Sequence, residues 1–275
     1  MPLNRRNIQG MTILDTIIEH KHAEVAHRKK TVPVSDLEKS NFFSRKTLSL
    51  KSFLLDESRS GIIAEFKRKS PSKGIINGDA DVTAVTTAYA NNGASCLSVL
   101  TDEVFFGGST GDLVKARINN IPILRKDFMI DEYQVTEAKA MGADVILLIA
   151  ACLTPQEVKQ LAVSAGALGL EVLLELHAEE ELGHICDETE IIGINNRNLK
   201  TFEVNIQHSL QMAARIPAEK IKIAESGIGS PATISLFREN GFKGFLVGEN
   251  FMKEADPGEA FARFVQELNT PFRPV

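Results

Sequence analysis

The sequence predicts a (β/α)8 TIM barrel, an α/β fold, with an N-terminal helical extension. Three observations point to it. From about residue 60 onward, short apolar runs ending in a polar residue or glycine alternate with amphipathic stretches. Eight such runs can be counted, and strand–helix alternation builds a parallel sheet with helical crossovers. The length of 275 residues suits eight units closed into one barrel. No Pro- or Ser-rich linker breaks the series, so residues 1–275 are expected to be a single barrel domain, of which 1–60 is the extension. An open doubly wound sheet is the alternative arrangement.

The extension opens with MTILDTIIEHKHAEVAHRKK (11–30), apolar at helical spacing and ending in a basic cluster. Its face of Ile13, Leu14, Ile17, Ile18 and Val25 must cover something, either as a lid over one barrel end or as a plug at the bottom. SLKSFLLDES (49–58) reads as a second short helix. The strands follow as GIIAEFK (61–67), SCLSVLT (95–101), PILRKDF (122–128), DVILLIAA (144–151), EVLLELH (171–177), IIGINN (191–196), KIKIAES (220–226) and GFLVGE (244–249). Helical patterns lie between them at 82–93, 132–142 and 154–166. Asn92-Gly93, Gly142 and Gly166 stand where helices end, and Thr154-Pro155 and Ser230-Pro231 where they begin.

Composition narrows the class. Hydrophobic residues make up 43% and charged residues 24%, too apolar for disorder. The net charge of −5 and a pI near 5.8 argue against nucleic acid or an anionic membrane as partner, while leaving room for a local anion pocket. Cys96, Cys152 and Cys186 are too few and too scattered for a disulfide framework or a zinc cluster. MPLNRRNIQG lacks the apolar core of a secretory signal, and the longest apolar run, 145–153, is far short of the ~20 residues of a membrane span. A cytoplasmic globular protein is expected.

Barrel chemistry takes place at the carboxyl ends of the strands, and here those ends are charged. Glu65 and Lys67 are two apart and share a face, which turns Ile62, Ala64 and Phe66 toward the outer helices. Lys126 ends the third strand, Glu175 the fifth, Asn195 the sixth with Arg197 following, and Glu225 with Ser226 the seventh. Buried ions are costly unless paired, so such a convergence is either a satisfied network closing the mouth or a reactive site, and the full set favours a site. Ser226-Gly227-Ile228-Gly229 and Gly248 follow the last two strands, where barrels bind phosphate through backbone N–H groups. Gly227-x-Gly229-x-x-Ala232, with Glu249 about twenty residues on, also matches a dinucleotide fingerprint. That motif should open a βαβαβ half-domain, and only one strand remains after it. His20, His22 and His27 lie on the first helix and read best as a solvated face. His177 shares the face of Glu175, and either lines the rim or caps the next helix.

Taken in order, IAEFKRKSPSKG (63–74), LSVLTDE (97–103), FFGGS (105–109), LRKDF (124–128), LELH (174–177), GINNRNL (193–199), AESGIG (224–229) and LVGE (246–249) resemble the indole-3-glycerol-phosphate synthase family of tryptophan biosynthesis. The likeness spans residues 11–265 and includes the extra helix before the barrel. It implies that carboxyphenylamino-deoxyribulose phosphate closes to an indole with loss of carbon dioxide and water, with no cofactor and no metal. By the same resemblance Lys126 is the general acid on the substrate ketone, and Glu175 the acid/base carboxylate near the amine. Lys67 pairs with Glu65 and the substrate carboxylate and serves dehydration. Asn195, Glu225 and Ser226 position these groups. Arg197, Ser70, Gly227 and Gly248 hold phosphate, Phe128 and Leu199 face the anthranilate ring, and the first helix lies beside the substrate mouth. A monomer acting on a small phosphorylated substrate is expected. Asn198 and Asn196 depart from the family's commoner acidic residue and serine, a difference confined to a loop. A lysine with the reference pKa of ~10.4 is a weak acid at neutral pH, so a setting that lowers it is expected to help. Other phosphate-binding barrels, such as phosphoribosyl isomerases and tryptophan synthase α-subunits, lack the set Glu65, Lys67, Lys126 and Glu175, and an inactive scaffold would have lost part of it.

Overall fold

The computed structural model describes residues 12–198 and 203–270. Eight parallel strands close on themselves: β1 (Ile62–Phe66), β2 (Cys96–Leu100), β3 (Ile123–Lys126), β4 (Val145–Ile149), β5 (Glu171–Leu176), β6 (Ile191–Asn195), β7 (Ile221–Glu225) and β8 (Phe242–Val247). Each strand pairs with its neighbours in sequence, and β8 returns to β1 through Ile62↔Phe245, Ile63↔Leu246 and Ala64↔Val247. The sheet is therefore a barrel and not doubly wound, and the dinucleotide reading fails with it. β8 begins two residues earlier than its sequence pattern suggested, because Phe242 packs against Phe237 of the preceding helix, with ring centroids 4.8 Å apart.

Alternation along the strands sorts the side chains. Ile62, Ala64 and Phe66 face the outer layer of helices, as their spacing required. Ile63, Cys96, Leu124, Leu147, Leu173, Ile223 and Leu246 fill the barrel interior. The helices start where cap chemistry allows. Thr154 caps Pro155–Ala167 with a capping box to Glu157, and Ser230 caps Pro231–Glu239.

The extension divides its labour between the two barrel ends. Helix α1 (Ile13–Thr31) begins at a capping box of Thr12 and Asp15 and ends in Arg28, Lys29 and Lys30 beside its exposed carbonyls. Ile13, Leu14 and Ile17 of α1 line the cavity at the carboxyl ends of the strands. At the opposite end Leu50 and Leu54, from helix Leu50–Leu55, join the interior cluster, and Ser49 Oγ donates to Glu171 at the start of β5. The lid and the plug are thus two different helices.

Candidate active site

A cavity of about 400 Å³ opens at the carboxyl ends of the strands. Strand register places its polar residues. Glu65 on β1 stands beside Ser98 on β2, Lys126 beside Leu100, and Asn195 beside Glu225. Lys126 Nζ lies 2.8 Å from Glu175 Oε2 and 3.3 Å from Glu225 Oε2. Lys67 Nζ is 2.7 Å from Glu65 Oε1, and Ser98 Oγ donates to Glu65 Oε2 at 3.2 Å. Asn195 Nδ2 donates to Glu175 Oε1 at 3.1 Å. The carboxylates are buried, while the Lys126 side chain keeps 15% exposure toward the cavity. Gly193 on β6 makes the arrangement possible, because a β-carbon there would collide with the Glu225 carboxylate.

These neighbours set the proton affinities. Burial alone would lower the Lys126 ammonium, but Glu175, Glu225 and Glu65 outweigh it and hold the lysine above its ordinary value. The setting that would lower the lysine is therefore not the one these neighbours supply. Burial would raise Glu175 as well, but Lys126 and then His177 hold it well below the usual carboxylate range. Burial also resists ionisation of Glu65, yet Lys67 and Lys126 hold it low. Glu225 goes the other way: burial, reinforced by Glu175, overcomes Lys126 and pushes it up to about 8. Near neutral pH the cluster therefore carries Glu65 and Glu175 as anions opposite the Lys126 cation, with Lys67 paired to Glu65 and Glu225 holding a proton.

The opposite wall is made of backbone. Ser226 and Gly227 follow β7 with φ of +67° and +70°, and Ser226 is the one non-glycine with positive φ among the described residues. The Asn196 amide donates to the Ser226 carbonyl at 2.6 Å and holds this curl. Ser70, Arg197, Gly227, Ile228, Gly229 and Gly248 line the same region. Successive backbone N–H groups presented this way suit an anion. A side chain at Gly227 would be strained by its φ and would strike Val204, so a Gly227→Val substitution would test packing and phosphate together. Phe128 lines the cavity with Phe106 at its back, ring centroids 6.0 Å apart. Leu199 lies outside the described residues. The remaining predicted site residues converge on this one cavity or, for Glu65 and Lys67, on its wall.

Sequence reasoning missed Lys21. It is fully buried, with Nζ 3.0 Å from Asp102 Oδ2, 2.9 Å from Asp127 Oδ1 and 2.8 Å from Glu24 Oε2. Asp127 also meets Arg125 at 3.1 Å, and although burial would raise it, Arg125 and Lys21 bring it down to about 2. The signal was present, because positions 17, 21 and 25 recur on one helical face and all three are buried. Of the three N-terminal histidines, His22 and His27 are exposed, whereas His20 stands edge-on to Phe105.

Fold and site together define a (β/α)8-barrel enzyme that sets a paired acid–base cluster opposite an anion cradle. The family described as indole-3-glycerol phosphate synthase matches residues 14–264. A protein of that name from Bacteroides thetaiotaomicron is 46% identical over 257 residues, covering 93% of this chain and 98% of the relative. Another from Acinetobacter baumannii is 42% identical over 269 residues, covering 96% and 99%. The chain belongs to the indole-3-glycerol phosphate synthase family and is a carboxy-lyase, a carbon–carbon lyase. Solved structures show the same fold at low identity. A 3-hexulose-6-phosphate synthase from Salmonella typhimurium gives a TM-score of 0.60 at 12% identity, covering 75% of this chain and 97% of that one. A tryptophan synthase a2b2 complex from Pyrococcus furiosus gives 0.56 at 17%, covering 76% and 98%. Among the described residues no helix is long and apolar enough to cross a membrane.

Proposed function

We propose that this site closes carboxyphenylamino-deoxyribulose phosphate to indole-3-glycerol phosphate, and that Lys126 and Glu175 are its acid and base. The observation carrying the assignment is the 2.8 Å pair of Lys126 and Glu175, which opens onto the same cavity as the Ser226–Gly227 curl. Arg197, Ser70, Gly227 and Gly248 hold the phosphate. Phe128 faces the anthranilate ring.

The ring carbon bearing the carboxylate attacks the ketone, and the carbonyl oxygen takes up negative charge. Lys126 donates a proton there. Its raised affinity is no obstacle, because an alkoxide has an affinity comparable with hydroxide, whose conjugate acid has a pKa of about 15.7. Until then the anionic Glu175 and Glu65 help keep the lysine charged. The C–CO2 bond then breaks, and its electron pair neutralises the iminium nitrogen. Lys67 protonates the hydroxyl, which leaves as water. Glu175 removes the remaining carbon-bound proton and the ring becomes aromatic. Two protons enter and one leaves, so each turnover takes up one. Asn195, Glu225 and Ser226 keep donors and acceptors in register.

Residues 1–60 act as an extension of a single barrel domain, an arrangement supported by the separate lid and plug. We read the enzyme as a monomer in the cytoplasm. Product mass together with carbon dioxide release in equal amount tests the reaction. Substrate consumed without carbon dioxide release contradicts it.

A further inference from the structure

We propose that His177 is the positioning residue for Glu175, fixing one of its oxygens so that the other faces Lys126. This rests on the reading of Glu175 as the base. His177 immediately follows β5, two residues beyond Glu175 and on the same side. Its side chain is buried, and Nε2 lies 3.0 Å from Glu175 Oε1, a close polar contact without hydrogen-bond alignment. That is the oxygen Asn195 also holds, at 3.1 Å, whereas Oε2 faces Lys126 at 2.8 Å. The two carboxylate oxygens are thereby sorted, one clamped and one left toward the reacting atoms. Glu181 Oε2 stands 4.0 Å from the other ring nitrogen, so the imidazole lies between two carboxylates.

A purely structural role does not need the ring. The turn after β5 is capped by the backbone: the main-chain N–H of His177 donates to Glu181 Oε2 at 2.6 Å, and Ala178 N–H adds a bond at 3.3 Å. His208 Nε2 likewise meets only the His177 carbonyl, at 3.2 Å. The imidazole is left for Glu175. The other groups around that carboxylate are Lys126 from β3, Asn195 from β6, Glu225 from β7 and Cys152 from the turn after β4. Burial, then Glu175 and Glu181, push the Cys152 thiol up to about 12, so it stays neutral across the working range.

The test compares the full-length protein with H177L and H177Q by the pH profile of kcat/KM. Leucine fills the space without a donor. Glutamine restores an N–H near the position of Nε2. In H177L the acidic limb moves up by about one pH unit or more, the scale of losing a close polar partner beside a buried carboxylate. At neutral pH kcat falls roughly tenfold while KM stays within about twofold. H177Q recovers most of both. An unmoved limb in H177L overturns the proposal, and so does H177Q as impaired as H177L. If circular dichroism shows H177L unfolded, H177Q decides alone: a limb at the original position supports the proposal and a raised one overturns it. E175Q separates the two levels, because an acidic limb that persists without the Glu175 carboxylate defeats the general-base reading itself.

Discussion

Replacing Lys126 with methionine removes the one cation shared by two buried carboxylates. In the intact site Lys126 lies 2.8 Å from Glu175 and 3.3 Å from Glu225, and Glu225 is protonated below about pH 8. K126M keeps chain length and packing but leaves Glu175 with Asn195 and His177 alone. Loss of a preorganised electrostatic donor costs about 100- to 1,000-fold in kcat, or about 2.7–4 kcal/mol. Stability responds with a definite sign. Glu175 is depressed by Lys126 in the native protein, so it contributes stability above its unfolded pKa that is lost as pH falls. Without Lys126 burial dominates and raises Glu175, so the variant becomes less stable as pH rises through the neutral range. Unpairing a buried charge costs about 3–5 kcal/mol, less whatever protonation relieves. Steady-state kinetics and thermal melts at pH 5.5 and 8 read both effects. Turnover within a few-fold of the native enzyme, or a melting difference that does not grow with pH, refutes the reasoning.

E175Q should lower kcat by about 100-fold or more with KM little changed, measured by initial rates; an effect confined to KM makes Glu175 a binding group. E225Q should flatten a basic limb near pH 8 in kcat/KM, because the residue that titrates there is gone; a persistent limb assigns it to another group. Inorganic phosphate should compete with substrate at roughly millimolar levels, and R197M should weaken that competition more than it lowers kcat. K21M should destabilise the protein by about 3 kcal/mol or more in chemical denaturation, because Asp102 stays buried without its cation and Asp127 keeps only Arg125; an unchanged midpoint shows that the buried Lys21 contributes nothing.

The barrel was legible because period-2 strands and period-3.6 helices alternate eight times, with caps such as Thr154-Pro155 marking the joints. The charged strand ends were legible for the same reason, since Glu65, Lys126, Glu175, Asn195 and Glu225 each close an apolar run. What the sequence hides is which charges meet. Lys21 meets Asp127, just after β3, from about a hundred positions away, and composition gives no hint of that partnership. Nor does it say that Lys126 faces carboxylates, which hold its proton affinity up rather than down. Nor does the sequence show that the Glu225 carboxylate fills the space left by Gly193's missing side chain. Helix 11–30 could have been read as lid or plug; packing sets α1 at the cavity, and a different helix, Leu50–Leu55, fills the opposite end.

The central claim is that the Lys126–Glu175 pair performs the ring closure. The most direct measurement incubates the purified protein and K126M, side by side, with carboxyphenylamino-deoxyribulose phosphate and follows indole fluorescence. The account predicts a steady rise with the native protein and a rate at least about 100-fold lower with a folded K126M. No indole from the native protein, or equal rates from the two, would contradict it.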